Sequence, residues 1–136
     1  MKKRVYPLFI LLFIIPFGLV AQLSLTIEII ELRNNKGQVH LELSNENEEQ
    51  ITGITRNISN NKCLVVIDNL KPGKYAFKFF HDKNNNKELD TNRLGIPKEG
   101  FGFSNNPSMT FGPPSFDKTI FDVNESIVIV CKPKYF

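Results

Sequence analysis

Apolar residues occupy every second position in two segments near the start of the chain. Residues 25–29 read Leu-Thr-Ile-Glu-Ile and residues 39–43 read Val-His-Leu-Glu-Leu. A period of two is typical of a β-strand that buries one face and exposes the other. The Asn34–Gly37 segment between them has the composition of a tight turn, so the pattern predicts a hairpin-type turn there.

Five further segments extend the β pattern, and no segment shows a convincing helical period. Short strands separated by turn residues at regular intervals are typical of a β-sandwich. We therefore predict an all-β fold, a single sandwich of about seven strands, either transthyretin-like or immunoglobulin-like. The five segments are Ile51–Ile58, Cys63–Leu70, Tyr75–Phe79, Lys118–Val123 and Ser126–Lys132.

Residues 83–116 interrupt this pattern with glycines and prolines. Loops of this length in compact domains are usually functional or disordered. Four aromatic residues argue against disorder, so we expect an ordered loop at one end of the sandwich. Its aromatics would form either a small core under the loop or an exposed surface that binds a sugar or a peptide. They are Phe101, Phe103, Phe111 and Phe116.

The first 21 residues have the pattern of a secretory signal peptide. Lys2, Lys3 and Arg4 precede an apolar run from Leu8 to Val20, and the small residue Ala21 suits the position before a cleavage site. The run spans about 13 residues, whereas a membrane-spanning helix needs about 20. We therefore expect residues 22–136 to form the mature domain, exported to the periplasm or the cell exterior, with no stable membrane anchor after cleavage.

Removal of the signal changes the charge balance. The whole chain has 17 basic and 14 acidic residues, a formal charge of +3, and loss of its three basic leader residues leaves 14 of each. The mature domain therefore has no overall basic excess to attract nucleic acid or anionic lipid. Its length of roughly 115 residues suits one domain with a single core.

The chain has two cysteines, each in an apolar run. Cys63 begins one predicted strand and Cys131 lies near the end of the last one. In an oxidising compartment two cysteines often form a disulfide. Two buried free thiols are the alternative, since cysteine is among the most buried residue types.

Several motifs resemble known families of secreted β-proteins. The Leu70–Tyr75 turn is similar to the Leu-Pro-Pro-Gly-x-Tyr turn of transthyretin-like and Cna-B-like β-sandwiches. The segments His81–Asp90, Leu94–Asn105 and Phe111–Asp117 resemble the DUF2141 family, and this resemblance covers residues 24–133. It implies a small exported bacterial protein with a β-fold, and it implies no particular reaction.

Oxygen-bearing side chains alternate along the start of the long loop, which suggests a calcium site. Calcium takes six to eight oxygen ligands from flexible loops. The loop is not an EF-hand, because Lys87 and Arg93 stand where such a loop needs Gly and Glu. The alternative is a turn whose Asn and Asp side chains bond their own backbone. The candidate ligands are Asp82, Asn84, Asn86, Glu88 through its carbonyl, Asp90 and the more distant Glu99.

His81 precedes this loop and is a candidate zinc ligand or general base. A zinc site needs at least three suitable ligands, and the mature chain has just one other histidine, His40. We therefore predict a non-enzymatic module of unknown specific role that binds a protein or glycan partner, with calcium as the candidate ion that orders its loop. The alternatives are a hydrolase using His81, Asp82 and Glu99, and a purely structural envelope protein.

Overall fold

The computed structural model describes residues 22–136 together with Gly18. Apart from Gly18, the predicted signal peptide lies outside the described residues. Within the described part, no helix is both long and apolar enough to cross a membrane. The strands are β1 (Leu23–Ile29), β2 (Gln38–Asn45), β3 (Gln50–Asn57), β4 (Cys63–Leu70), β5 (Gly73–Asp82), β6 (Phe101–Phe103), β7 (Phe121–Val123) and β8 (Ile127–Cys131).

These strands form two sheets that pack face to face. The smaller sheet has the order β4-β1-β8, in which β1 pairs antiparallel with β4 and parallel with β8. The larger sheet has the order β3-β2-β5-β6, and β7 pairs with the beginning of β5. The predicted all-β sandwich is confirmed, with eight strands in place of about seven.

The core lies between the two sheets and follows the period-two pattern. Leu25, Ile27 and Ile29 of β1 are fully buried and face Phe77 and Phe79 of β5, which are almost fully buried. Burial of each such side chain stabilises the fold by about 1.5–3 kcal/mol relative to leaving it exposed. The alternate positions of β5, which include Lys78, Phe80 and Asp82, face away from this core.

The predicted hairpin between the first two strands is wrong. β1 lies in the smaller sheet and β2 in the larger one, so the Asn34–Gly37 turn carries the chain from one sheet to the other. The alternation of residues shows which face of a strand is buried, but it does not show which strand is its neighbour. Gly37 has φ of +73°, and a Cβ at this position would overlap the backbone carbonyl of Asp82.

The extra strand lies inside the segment predicted as a long loop. β6 pairs with residues 78–80 of β5, next to the stretch where β7 pairs with residues 73–75. The predicted strand Lys118–Val123 is a strand only in its second half, since Phe116–Thr119 forms a 3-10 helix. The two short strands therefore share one edge of β5.

Ser104 joins the two short strands across the gap between them. Its hydroxyl accepts the backbone N–H of Phe77 at 3.0 Å and donates to the carbonyl of Thr119. The backbone N–H of Ser104 in turn donates to the carbonyl of Phe77 at 2.9 Å. The buried polar groups of β5 are thus satisfied where neither β6 nor β7 reaches them.

The two cysteines are buried free thiols. Cys63 in β4 and Cys131 in β8 both lie opposite Ile29 of the central strand, on its two sides. Two strand spacings of about 4.8 Å separate them, so their Cα atoms are too far apart for a disulfide, which needs a separation below about 7 Å. Burial raises the pKa of each thiol to about 11.

Candidate functional site

Asp82 ends β5 and anchors the loop that follows. Its side chain lies on the outer face of the larger sheet and is fully buried beneath the loop. Oδ1 accepts the backbone N–H of Asn86 at 3.2 Å, and Oδ2 accepts that of Lys87 at 2.9 Å. Nε2 of His40 lies 2.9 Å from Oδ2, so the carboxylate joins the loop to β2.

The surroundings of Asp82 favour its charged form. Burial alone would raise the pKa of the carboxyl group. The hydrogen bonds from the Lys87 N–H, the His40 ring and the Asn86 N–H outweigh burial, and the pKa of Asp82 is lowered. The carboxylate is therefore held as an anion at the base of the loop.

The next alternating residues converge on the carboxylate of Asp90. The side-chain amide of Asn84 donates to Oδ2 at 2.6 Å, and that of Asn86 donates to Oδ1 at 2.8 Å. The side-chain carbonyl of Asn86 also accepts the backbone N–H of Glu88 at 2.9 Å. Polar side chains that alternate in sequence thus point toward one centre.

Glu99 closes the loop from its far end. Its Oε1 accepts the backbone N–H of Lys83 at 2.8 Å, and its Oε2 accepts that of Asp90 at 3.2 Å. Only 6% of the residue is exposed, and its role as a distal calcium ligand stays a prediction. All six predicted residues belong to one connected hydrogen-bond network.

Two residues of the loop adopt left-handed backbone conformations. Lys87 has φ of 67° and Asn85 has φ of 60°. Asn tolerates this region better than Lys, and Gly tolerates it best. Lys87 therefore has the conformation for which a calcium loop of the EF-hand type uses glycine.

The network has the form of the predicted hydrogen-bonded turn. Every carboxylate oxygen of Asp82, Asp90 and Glu99 accepts at least one hydrogen bond. Over residues 22–136, no group of three or more His, Cys, Asp or Glu side chains is arranged to hold a metal ion. The predicted calcium set differs from such a group because it draws on two Asn side chains and the carbonyl of Glu88.

His81 lies on the opposite face of β5 and is engaged in the core. Its Nε2 donates to the carbonyl of Lys36 at 2.7 Å, and its Nδ1 shares a hydrogen bond of 2.9 Å with the hydroxyl of Tyr135. The residue is 2% exposed. In the described part of the chain, no hydrogen bond joins His81, Asp82 and Glu99 to one another, so the geometry favours a structural role for His81.

An aromatic groove runs across the outer face of the larger sheet beside this loop. It has a volume of about 410 Å³. The rings of His40 and Phe80 stack in its floor with centroids 5.0 Å apart, and Leu89 of the loop forms part of its wall. Phe101 and Phe103, in edge-to-face contact, continue the floor.

A family model described as an uncharacterized protein conserved in bacteria (DUF2141) matches residues 27–130. This chain belongs to the DUF2141 family. The match covers β2 to β7 completely, together with the last three residues of β1 and the first four residues of β8. No curated protein and no solved structure matches the chain, so the likeness to transthyretin stays a prediction.

The phenylalanines of this DUF2141 domain are divided between packing and exposure. Phe101 is buried and stacks on Phe136 with centroids 6.0 Å apart, whereas Phe111 is fully exposed. Phe103 and Phe116 are half-buried. Phe101 therefore packs under the loop and Phe111 is exposed, and binding of a sugar or a peptide to this segment stays a prediction.

Sequence reasoning on this DUF2141 domain missed the role of His40. Its Nδ1 bonds the hydroxyl of Thr55 at 2.8 Å while its Nε2 bonds Asp82. In the register of the larger sheet His40 lies opposite Phe80, two residues before Asp82. The pattern shows that His40 is on an outward face, but the contact depends on the pairing of β2 with β5.

Proposed function

We propose that this chain is an exported, non-enzymatic binding module in which calcium holds the loop 82–90 and a glycan occupies the adjacent aromatic groove. One observation carries the proposal. Leu89, which lies between Glu88 and Asp90 in the loop, is also part of the groove wall. An ion that fixes the loop would therefore fix the shape of the groove.

The chemistry of the loop supports calcium. Asp82, Asp90 and Glu99 supply carboxylates, and hard cations such as calcium prefer oxygen ligands of this kind. The side-chain amides of Asn84 and Asn86 donate to the carboxylate of Asp90. A cation replacing these two donors would draw on the carbonyl oxygens of the same amides and would neutralise the carboxylate more completely.

The groove supports a flat, partly polar ligand. The stacked rings of His40 and Phe80 present an apolar surface, while Gln50 and Thr55 offer hydrogen-bonding groups at its edge. A sugar ring has one apolar face and a rim of hydroxyl groups, which suits such a surface. The volume of about 410 Å³ falls within the range of small-molecule sites.

Thermal unfolding tests the calcium part of the proposal. The domain 22–136, which contains the eight described strands, should melt at a higher temperature in calcium than in chelator. Binding stabilises the native state by about 2.7 kcal/mol at a hundredfold excess over Kd. The double variant Asp82→Ala with Asp90→Ala should lose this response.

Controls separate loss of the ion from loss of the fold. Asp82 is buried, so the milder variant Asn84→Ala, at an exposed position, should also weaken the calcium response while leaving the fold intact. Asp122→Asn, in an exposed ion pair with Lys74, should leave the response unchanged. An equal calcium response in the wild type and all loop variants would remove these residues from the site.

A panel of immobilised oligosaccharides tests the groove. The wild-type domain should be retained on the immobilised sugars in calcium and released by chelator. Thr55→Val and Gln50→Ala should weaken binding because they remove exposed polar groups at the groove edge. Retention of peptides in place of sugars would assign the groove to a protein partner, and retention of neither would overturn the glycan proposal.

Export is tested at the N-terminus of the protein. Protein recovered from the periplasm or the medium should begin at Gln22, since the predicted cleavage follows Ala21. Protein retained in the cytoplasm with residues 1–21 intact would contradict the proposal.

A further inference from the structure

Four separate segments meet at one end of the sandwich. β1 and β8 end there, and β4 begins there, because Ile29 lies opposite both Cys63 and Cys131. β5 ends there too, since Nε2 of His81 donates to the carbonyl of Lys36 at 2.7 Å. The C-terminal residues join the same end, since Lys134 exchanges backbone hydrogen bonds of 2.7 and 3.0 Å with Phe101. We call this region the loop end and define it as residues 30–37, 56–62, 82–100 and 132–136.

The loop end collects most of the positive charge. Of the 14 basic residues in 22–136, ten lie at the loop end, against five of the 14 acidic residues, which is 10 − 5 = +5. The rest of the domain has 4 − 9 = −5. The neutral domain is therefore strongly polarised. The ten basic residues are Arg33, Lys36, Arg56, Lys62, Lys83, Lys87, Arg93, Lys98, Lys132 and Lys134.

Burial increases this asymmetry at the surface. All ten basic residues are exposed except Lys134, which is half-buried. Among the five acidic residues, Asp82 and Glu99 are buried. Glu31 pairs with Lys132 at 2.6 Å, which cancels one charge of each sign and leaves the positive excess unchanged. The field that reaches solvent from the loop end is therefore positive.

One apolar side chain projects from the loop end and another from the adjacent segment 109–113. Leu94 is 84% exposed and Phe111 is 102% exposed. Their loops face each other across an apolar pocket of about 380 Å³, which is lined by the neighbours of both residues and by Phe136. The 109–113 segment is held at the loop end because the Lys134 ammonium donates to the carbonyl of Met109 at 3.3 Å.

The tip that carries Leu94 is ordered by hydrogen bonds. The side-chain carbonyl of Asn92 accepts the backbone N–H groups of Leu94 at 2.8 Å and of Ile96 at 3.0 Å. The backbone of Asn92 also pairs with Ile96 and Gly95. Leu94 is therefore held in solvent by an ordered, hydrogen-bonded turn. Exposure at this position forgoes the stabilisation that burial of a leucine side chain contributes.

We infer that the loop end docks on an anionic lipid bilayer, with Leu94 and Phe111 entering the interfacial region and the basic residues facing lipid phosphates. Charge complementarity selects this occupant, because an apolar protein surface would not explain the surrounding basic residues. Peripheral proteins bind anionic membranes through two interactions: burial of apolar side chains in the interfacial region and attraction of basic side chains to anionic lipids. The inference requires neither calcium nor a glycan.

The polarity of the domain also sets its orientation on the lipid. The negatively charged remainder, including the acidic turn 46–49 between β2 and β3, would be repelled from an anionic surface and would face away. The aromatic groove, which shares Phe101 and Phe103 with the pocket between the two tips, would lie beside the membrane.

Sedimentation with lipid vesicles tests the inference. The wild-type domain should bind vesicles containing phosphatidylglycerol and should not bind vesicles of phosphatidylcholine. Leu94→Ser with Phe111→Ser should weaken binding at least tenfold. Arg93→Gln with Lys98→Gln should weaken vesicle binding by about fivefold for each charge removed. Raising the salt concentration from about 0.1 to 1 M should also weaken binding, because salt screens the attraction between the basic residues and the lipid phosphates.

A matched control uses the other exposed apolar surface of the domain. Leu64 and Val128, on the outer face of the smaller sheet, are 55% and 63% exposed, and Leu64→Ser with Val128→Ser should leave vesicle binding unchanged. Equal binding to neutral vesicles, or undiminished binding of the tip variants, would overturn the inference. Concentration-dependent dimerisation that requires Phe111, without vesicle binding, would reassign the surface to a second copy of the chain.

Discussion

The ring of His40 and the carboxylate of Asp82 lie 2.9 Å apart on neighbouring strands of the larger sheet. This contact fixes the base of the candidate ion loop to the floor of the aromatic groove, since the same ring stacks on Phe80. The two candidate sites therefore share a side chain, and changes at one should be measurable at the other.

The lowered pKa of Asp82 predicts acid sensitivity. A carboxyl group whose pKa is lower in the folded state stabilises the fold above its unfolded value of about 3.9. This contribution is lost as the pH falls through the folded-state pKa. Urea unfolding should therefore show a loss of stability in the wild type below about pH 4, and Asp82→Asn should flatten this part of the profile. Parallel profiles for the two proteins would contradict the pKa shift of Asp82.

Gly37 and Gly95 form a matched pair for measuring steric overlap. Both have positive φ, of 73° and 78°, but a Cβ would meet the Asp82 carbonyl at Gly37 and open space at Gly95. Gly95→Ala should cost about 1–2 kcal/mol through its backbone conformation alone. Gly37→Ala should cost clearly more in denaturant unfolding, and equal costs would show that the turn relaxes away from Asp82.

Replacement of Lys87 by glycine should stabilise the domain. Release of the left-handed strain contributes about 1–2 kcal/mol, while the added freedom of the unfolded chain offsets roughly 0.5–1 kcal/mol. The control Asn85→Gly should gain less, because asparagine tolerates this conformation. Denaturant midpoints compare the two variants, and a destabilised Lys87→Gly would show that the side chain makes a contribution larger than the strain.

The two cysteines should remain reduced in the native protein. Their separation across Ile29 prevents a disulfide, and burial with pKa values of about 11 keeps them unreactive. Thiol titration should find two thiols after denaturation and almost none before it. A reductant should not change the melting temperature, whereas a lowered melting temperature on reduction would indicate a bridge.

The sequence predicts the positions of the strands better than it predicts which strands pair with each other. Period-two alternation identified β1 and β2 because it reports which face of a strand is buried. It also suggested a hairpin between them, which is wrong, since β1 lies in the smaller sheet and β2 in the larger one. β6 was missed because its three residues are too few for a period and lie among glycines.

The candidate site was predictable where its residues are local. The alternating polar residues from Asp82 to Asp90 meet because they lie on one loop, and Glu99 joins them from the returning chain. The contact with His40 depends on strand register. The positive charge of the loop end comes from four segments that are distant in sequence and meet only in the fold. The total charge of the domain is zero, so composition alone did not reveal this positive region.

The parallel pairing of β1 with β8 places the first strand of the domain beside the last. The smaller sheet is therefore incomplete until the final residues of the chain are present. Such distant pairings slow folding because a long loop must close before the contact forms. If the protein is exported as we propose, slow folding would keep the chain threadable for passage through a translocation pore.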